Sequence, residues 1–121
     1  MAVGPSLFHE IKIADFGLSR TLKDPGGRAY DMTAVGTPAF VAPEVLSGSY
    51  NQMADYWSFG CIVYTMLCGE YPFDEQPEHV RKPGTEAKLR SCELWRRLSE
   101  PARAFVLGLL KVKVNERLGL R

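Results

Sequence analysis

Histidine and cysteine are scarce in this chain, and their placing excludes most metal and disulfide chemistry. The two histidines, His9 and His79, lie far apart, and neither has a ligand-like neighbour. The three cysteines, Cys61, Cys68 and Cys92, are odd in number and show no Cys-x-x-Cys spacing. That argues against a disulfide framework or a zinc site. Buried reduced thiols are the default, which fits a cytoplasmic or nuclear location. Long apolar runs are also missing. The most apolar segment, Phe59 to Cys68, has ten residues, against the ~20 that span a bilayer, so no membrane association is expected. The opening MAVGPSLFHE lacks the basic start and apolar run of a signal peptide. Neither charge sign dominates: 15 basic and 14 acidic residues leave +1, which gives no support for a nucleic-acid partner. No internal repeat or low-complexity tract is present.

What is present is globular. The 121 residues are 45% hydrophobic and 24% charged, about one small domain's worth. The charges are unevenly placed. Residues 1–80 carry 4 basic and 10 acidic groups, and residues 81–121 carry 11 basic and 4 acidic. The basic half is either a solvated face or a docking patch for an acidic partner.

Ile11 and Ile13 flank Lys12, an alternation that predicts a short strand. Asp15, Phe16 and Gly17 follow. A carboxylate on a bent backbone suits magnesium, which takes few protein carboxylates and keeps water or phosphate oxygens as its other ligands. The same residues also mark an ordinary turn, and the stretch KIADFGLSR, Lys12 to Arg20, taken alone favours the turn. Residues 19–35 are polar, contain Pro25-Gly26-Gly27 and read as a long loop. Pro43 opens a helical turn with Glu44 at its start. Residues 54–68, ADYWSFGCIVYTMLC, form the strongest helix. Its polar residues Asp55, Ser58 and Thr65 fall on one stripe within about 80°, and the rest is apolar, so it is expected to be buried on nearly every side. Gly69 and Pro72 stop it. A helical turn is expected near Gln76-Pro77 and a helix over 85–98 capped by Thr85. Another follows Ser99 and Pro101, with Ala102, Phe105, Val106, Leu109 and Leu110 on one face.

Four motifs then stand in order: ADFG at 14–17, the Ala-Pro-Glu ending at Glu44, 29 positions after Asp15, DYWSFG at 55–60, and GEYPF at 69–73, with Arg117 just after the last helix. Together they resemble the C-terminal lobe of the eukaryotic protein kinase family, over roughly 11–119. The resemblance implies a mainly α fold with a short β-strand before the Asp-Phe-Gly loop, as a fragment of an α+β kinase domain. Residues 1–121 would be a partial kinase domain, with the magnesium loop and activation segment at 11–47 and a helical subdomain at 48–121. It implies that Asp15 ligates the magnesium bridging the ATP phosphates, that Phe16 packs between lobes, and that Gly17 is the hinge. Thr33 matches a regulatory phosphosite, or is a plain loop threonine. Gly36, Thr37, Pro38 and Phe40 match the substrate pocket of the serine/threonine branch, with Thr37 bonding the catalytic residues. Glu44 and Arg117 match a buried ion pair, Asp55 a residue that accepts backbone N–H bonds from the catalytic loop, and Trp57 a structural residue beside it. ADFGLSR, MLCG and YPF are similar to the calcium/calmodulin-dependent group. Tyr64 is followed by Thr65 rather than the glutamate of some basophilic members. Lys113 and Val114 stand where the family often has Asp-Pro, which weakens the turn before Arg117.

No Gly-x-Gly-x-x-Gly, Val-Ala-x-Lys or His-Arg-Asp occurs in the 121 residues, although the family needs all three. The residues up to 11 cannot hold a nucleotide-binding lobe. The expectation is therefore a piece of an ATP- and magnesium-dependent protein serine/threonine kinase, inactive alone and binding neither ligand tightly. Its partners would be protein substrates, regulators or the missing part of the domain. The alternative is a non-catalytic kinase-like binding module built on the basic half. Uncovered apolar surface on the central helix would make the isolated chain prone to associate.

Overall fold

A computed structural model of the chain describes residues 10–16, 38–48, 51–73 and 85–120. The loop expected at 19–35 and the turn near Gln76-Pro77 lie outside them, as do Gly17, Thr33, Gly36 and Thr37. The described part is helical. A 3-10 turn, Pro38–Phe40, leads into α1 (Pro43–Leu46) and then α2 (Gln52–Cys68). Further along come α3 (Thr85–Ser91), α4 (Glu93–Arg97), α5 (Glu100–Leu109) and a final 3-10 turn, Val114–Glu116.

The strand expected at 11–13 does not form. Residues 10–16 are irregular, with Ile11 and Ile13 almost fully exposed. An extended segment becomes a strand only by pairing its backbone groups, and no second strand exists among the described residues.

α2 is the axis. It starts two residues before the expected helix, because the Asn51 side chain accepts the Met53 N–H at 2.8 Å and caps the first turn. Its end is set by Gly69 at φ 74°, a left-handed conformation that glycine adopts without strain. One face carries the core: Met53, Ala54, Trp57, Gly60, Cys61, Tyr64 and Cys68 are buried. The 3-10 turn at Pro38–Phe40, α4 and α5 pack against this helix.

Burial on nearly every side is not what the structure shows. Asp55, Phe59, Ile62 and Met66 form an exposed stripe at helical spacing, with Phe59 48% and Met66 77% exposed. No described element lies across it. Phe59 instead meets Phe105 of α5 edge-on, with centroids 6.3 Å apart, and both rings stay partly in solvent. Phe105 therefore departs from the buried face of α5, where Val106 and Leu109 are buried, with Leu110 just after them.

α2 and α5 approach closely at Gly60. A Cβ there would sit 2.8 Å from Leu109 Cβ and 3.0 Å from Leu110 Cδ2. Gly60→Ala is expected to destabilise the fold by roughly 1–3 kcal/mol through overpacking, despite alanine's better helix propensity. Urea denaturation of the two proteins reads this directly.

The helix expected at 85–98 is broken at Cys92, whose backbone is extended. Core packing explains the break. Leu89 and Trp95 are both buried, yet six residues at ~100° each would leave them about 120° apart on one continuous helix. The interruption turns both inward. α5 begins at Ser99, whose hydroxyl accepts the Ala102 N–H at 3.3 Å.

Candidate functional site

The most elaborate polar arrangement joins α1 to the chain's far end. Pro43 presets the first helical turn, and Glu44 follows in that first turn. Its side chain is largely buried and aims at Arg117, which is fully buried just beyond the last 3-10 turn. Arg117 Nη1 donates to Glu44 Oε1 at 2.6 Å, and Nη2 donates to Oε2 at 2.9 Å. Planar guanidinium and carboxylate thus meet in a two-pronged match. Two further donors are used: Nη1 reaches the Met53 carbonyl at 2.7 Å, and Nε reaches that of Lys111 at 3.0 Å. The guanidinium lies 5.2 Å from the Trp57 ring centroid, a geometry in which a cation is attracted to the aromatic face. Trp57 is itself stacked on Phe73, with centroids 5.2 Å apart and planes 16° apart.

The backbone before Arg117 turns without Asp-Pro. Glu116 N–H donates to the Lys113 carbonyl at 3.1 Å and Arg117 N–H to that of Val114 at 3.2 Å, while the Lys113 and Glu116 side chains pair at 3.4 Å on the surface. The two carbonyls that hold Arg117, from Met53 and Lys111, were not legible in the sequence, because any residue type can supply a backbone oxygen.

The α2 polar stripe is divided in its roles. Ser58 Oγ donates to the Phe40 carbonyl at 2.8 Å, tying α2 to the segment before α1. Thr65 Oγ1 turns back to the Cys61 carbonyl at 2.8 Å. Asp55 lies exposed in the first turn. Phe40 is half-buried and meets Tyr71 edge-on at 5.4 Å between centroids. Pro38 opens the 3-10 turn that carries it. Only this end of the expected substrate pocket is described.

Asp15 and Phe16 are exposed, and Asp15 has φ 64°. That left-handed conformation is unusual for a residue other than glycine and is best tolerated by asparagine and aspartate. No group of three or more histidine, cysteine, aspartate or glutamate residues gathers among the described residues. A solvent-open single carboxylate fits magnesium that draws its other ligands from water and phosphate, and Asp15 is the residue that would hold it.

The thiols sit in the opposite environment. Burial pushes Cys61 up to about 12, with the Arg117 charge opposing weakly. Tyr64 is also raised, mainly by burial, and its hydroxyl donates to the Leu89 carbonyl at 3.2 Å. These groups are neutral members of the core.

Known proteins resemble this chain in sequence. The protein kinase domain family matches residues 6–121. Serine/threonine-protein kinase D3 of Mus musculus is 38% identical over 111 residues, covering 91% of this chain and 12% of that protein. Serine/threonine-protein kinase dkf-2 of Caenorhabditis briggsae is 37% identical over 91% of this chain and 9% of its own length. Serine/threonine-protein kinase PLK4 of Drosophila grimshawi is 40% identical, over 91% and 14%. The chain thus spans about a tenth of the length of such relatives. A crystal structure of Rad53 with AMP-PNP aligns with 68% of this chain and 23% of its own at 35% identity, with a TM-score of 0.48. With the match running through nearly every residue, the chain belongs to the protein kinase family, on its serine/threonine side.

Proposed function

We propose that this chain supplies the magnesium loop, activation segment and helical lobe of an enzyme that transfers the γ-phosphate of ATP to serine or threonine hydroxyls of proteins. The observation that carries the reading is the buried Glu44–Arg117 match, which anchors the end of the activation segment to the base of the helical lobe. In this reading Asp15 binds magnesium, Phe16 and Gly17 shape the nucleotide edge, and Thr33 is the regulatory phosphosite. Gly36, Thr37, Pro38 and Phe40 border the substrate hydroxyl, and Asp55 steadies a catalytic loop. The catalytic base, strand lysine and glycine-rich loop come from outside these 121 residues, so the chain alone transfers no phosphate. Residues 11–47 and 48–121 are its two functional parts, working in the cytoplasm or nucleus.

Two measurements test this. The purified chain with magnesium-ATP and casein should show no turnover above a blank, and turnover that an Asp15→Ala control lacks would overturn the inactivity. Residues 11–119, grafted in place of the matching segment of a related serine/threonine kinase, should preserve transfer. Asp15→Ala in that graft should lower it by about 10²–10³, the scale of losing one preorganised electrostatic contact. A graft that folds yet transfers nothing would sink the assignment.

A second reading is favoured by one surface. Arg90, Arg96 and Arg103 line a cleft floored by Trp95, Ala104 and Leu107, with Glu100 as its acidic member. Such a surface suits a non-catalytic module that holds an acidic segment of a substrate or regulator. Binding of a glutamate-rich peptide that survives moderate salt and is lost in Arg96→Glu would support it. Disappearance at modest ionic strength would mark nonspecific attraction.

A further inference from the structure

Two of the three cysteines are neighbours in space, though 24 positions separate them. Cys68 ends α2 and is buried, and Cys92 stands at the break between α3 and α4, half-buried and packed against the same core cluster. Cys92 Sγ lies 4.0 Å from the Cys68 carbonyl oxygen. Cys61, by contrast, points into the packed centre with no exposure. Around the pair, Tyr64 bonds to the Leu89 carbonyl and its ring lies 5.6 Å from Trp95, so the walls that hold the two sulfurs together are built from α2, α3 and α4.

We infer that Cys68 and Cys92 form an oxidation site, at which hydrogen peroxide converts the thiol pair to a disulfide that staples the end of α2 to the α3–α4 junction. The two sulfurs have different roles. Cys92 has access to solvent and attacks first. Its thiolate sulfur bonds to one peroxide oxygen, the O–O bond breaks, and the departing hydroxide takes up the thiol's proton to become water. This leaves a sulfenic acid on Cys92. Cys68 is held up to about 11, mainly by burial and then by the neighbouring Cys92, so it is a poor first nucleophile. It acts by proximity instead. Its sulfur attacks the Cys92 sulfur, the S–O bond breaks, and hydroxide leaves with the Cys68 proton as a second water. Two thiols lose two electrons, and one peroxide becomes two waters. Nothing in this chemistry depends on phosphate transfer, so it stands or falls separately from the kinase reading.

The test is made on the whole chain with hydrogen peroxide, followed by alkylation of free thiols and intact mass measurement. The monomer should lose the mass of two hydrogens and keep one alkylatable cysteine, and dithiothreitol should restore all three. Chymotrypsin cuts between Cys61 and Cys68, after Tyr64 and Leu67, so the wild-type peptide map alone identifies the partner of Cys92. In Cys68→Ser the disulfide should vanish and Cys92 should accumulate as a dimedone-reactive sulfenic acid, while Cys61→Ser should behave as wild type. A map joining Cys92 to Cys61, a disulfide only between two chains, or Cys92 sulfenic acid accumulating in wild type without closure would each overturn the proposal.

Discussion

Replacing Arg117 with alanine is expected to cost about 3–5 kcal/mol of stability, the range for removing one partner of a buried ion pair. The size follows from what is left behind. Glu44 would keep a carboxylate with both oxygens shorn of their donors, in a site where its side chain has little solvent. The Met53 and Lys111 carbonyls would each lose a donor as well, and a buried acceptor left alone costs about 1–3 kcal/mol. Arg117→Lys should recover little, because an ammonium cannot match both carboxylate oxygens and two carbonyls at once. Glu44→Gln should be milder than Arg117→Ala, since an amide oxygen can still accept one bond. The check is a denaturant series on all four proteins. Because domains of this size carry only about 5–15 kcal/mol, Arg117→Ala is expected to lose most of its cooperative transition. An Arg117→Ala curve superimposed on wild type would show that the match contributes nothing to the fold.

The second large effect is at Trp57, and it separates two properties of one side chain. Trp57→Ala should destabilise by roughly 3–5 kcal/mol, the usual cost of emptying a buried aromatic site. Its ring is fully buried, stacks on Phe73 and underlies the Arg117 guanidinium. The indole N–H, however, has no hydrogen-bond partner among the described residues. A donor with no partner brings no bond energy and some desolvation cost. Trp57→Phe therefore keeps the stacking and the cation contact and removes only the orphan group and part of the volume. It should fall well short of the alanine loss, at under about 2 kcal/mol. If phenylalanine proves as damaging as alanine, the indole nitrogen has a role that the geometry does not reveal.

Much of the helical layout was legible because it rests on local rules. Proline before Glu44, serine before α5 and glycine after α2 are punctuation that any chain obeys. The Glu44–Arg117 connection came only through resemblance to a family, since nothing in charge or periodicity links residues 73 apart. Two expectations failed for one reason. The strand at 11–13 and the all-round burial of α2 both presume neighbours that the described residues do not provide. A sequence pattern reports the surroundings a segment is adapted to, and Ile11, Phe59 and Met66 are adapted to cover that the described residues do not give them. The split of 85–98 was hidden for a different reason. Leu89 and Trp95 each suit a helix, and only the position of the core decides that one helix cannot present both. Asp15, Phe40, Asp55 and Trp57 were singled out by motif, whereas the hydroxyl of Ser58 reaching the Phe40 carbonyl was visible only as one member of a polar stripe.

The long separation of Glu44 and Arg117 also sets when the two can meet. Helices such as α2 and α5 draw on contacts within a few residues and consolidate early, while joining distant parts of the chain first requires closure of the loop between them. The guanidinium's place is built from a carbonyl on α2, another on the tail after α5 and a carboxylate on α1, so it does not exist until those three have docked. Loss of Arg117 should consequently show itself as faster escape from the native state, with the rate of reaching that state nearly unchanged. What the arginine governs is how long the assembled lobe endures, rather than how quickly it is found.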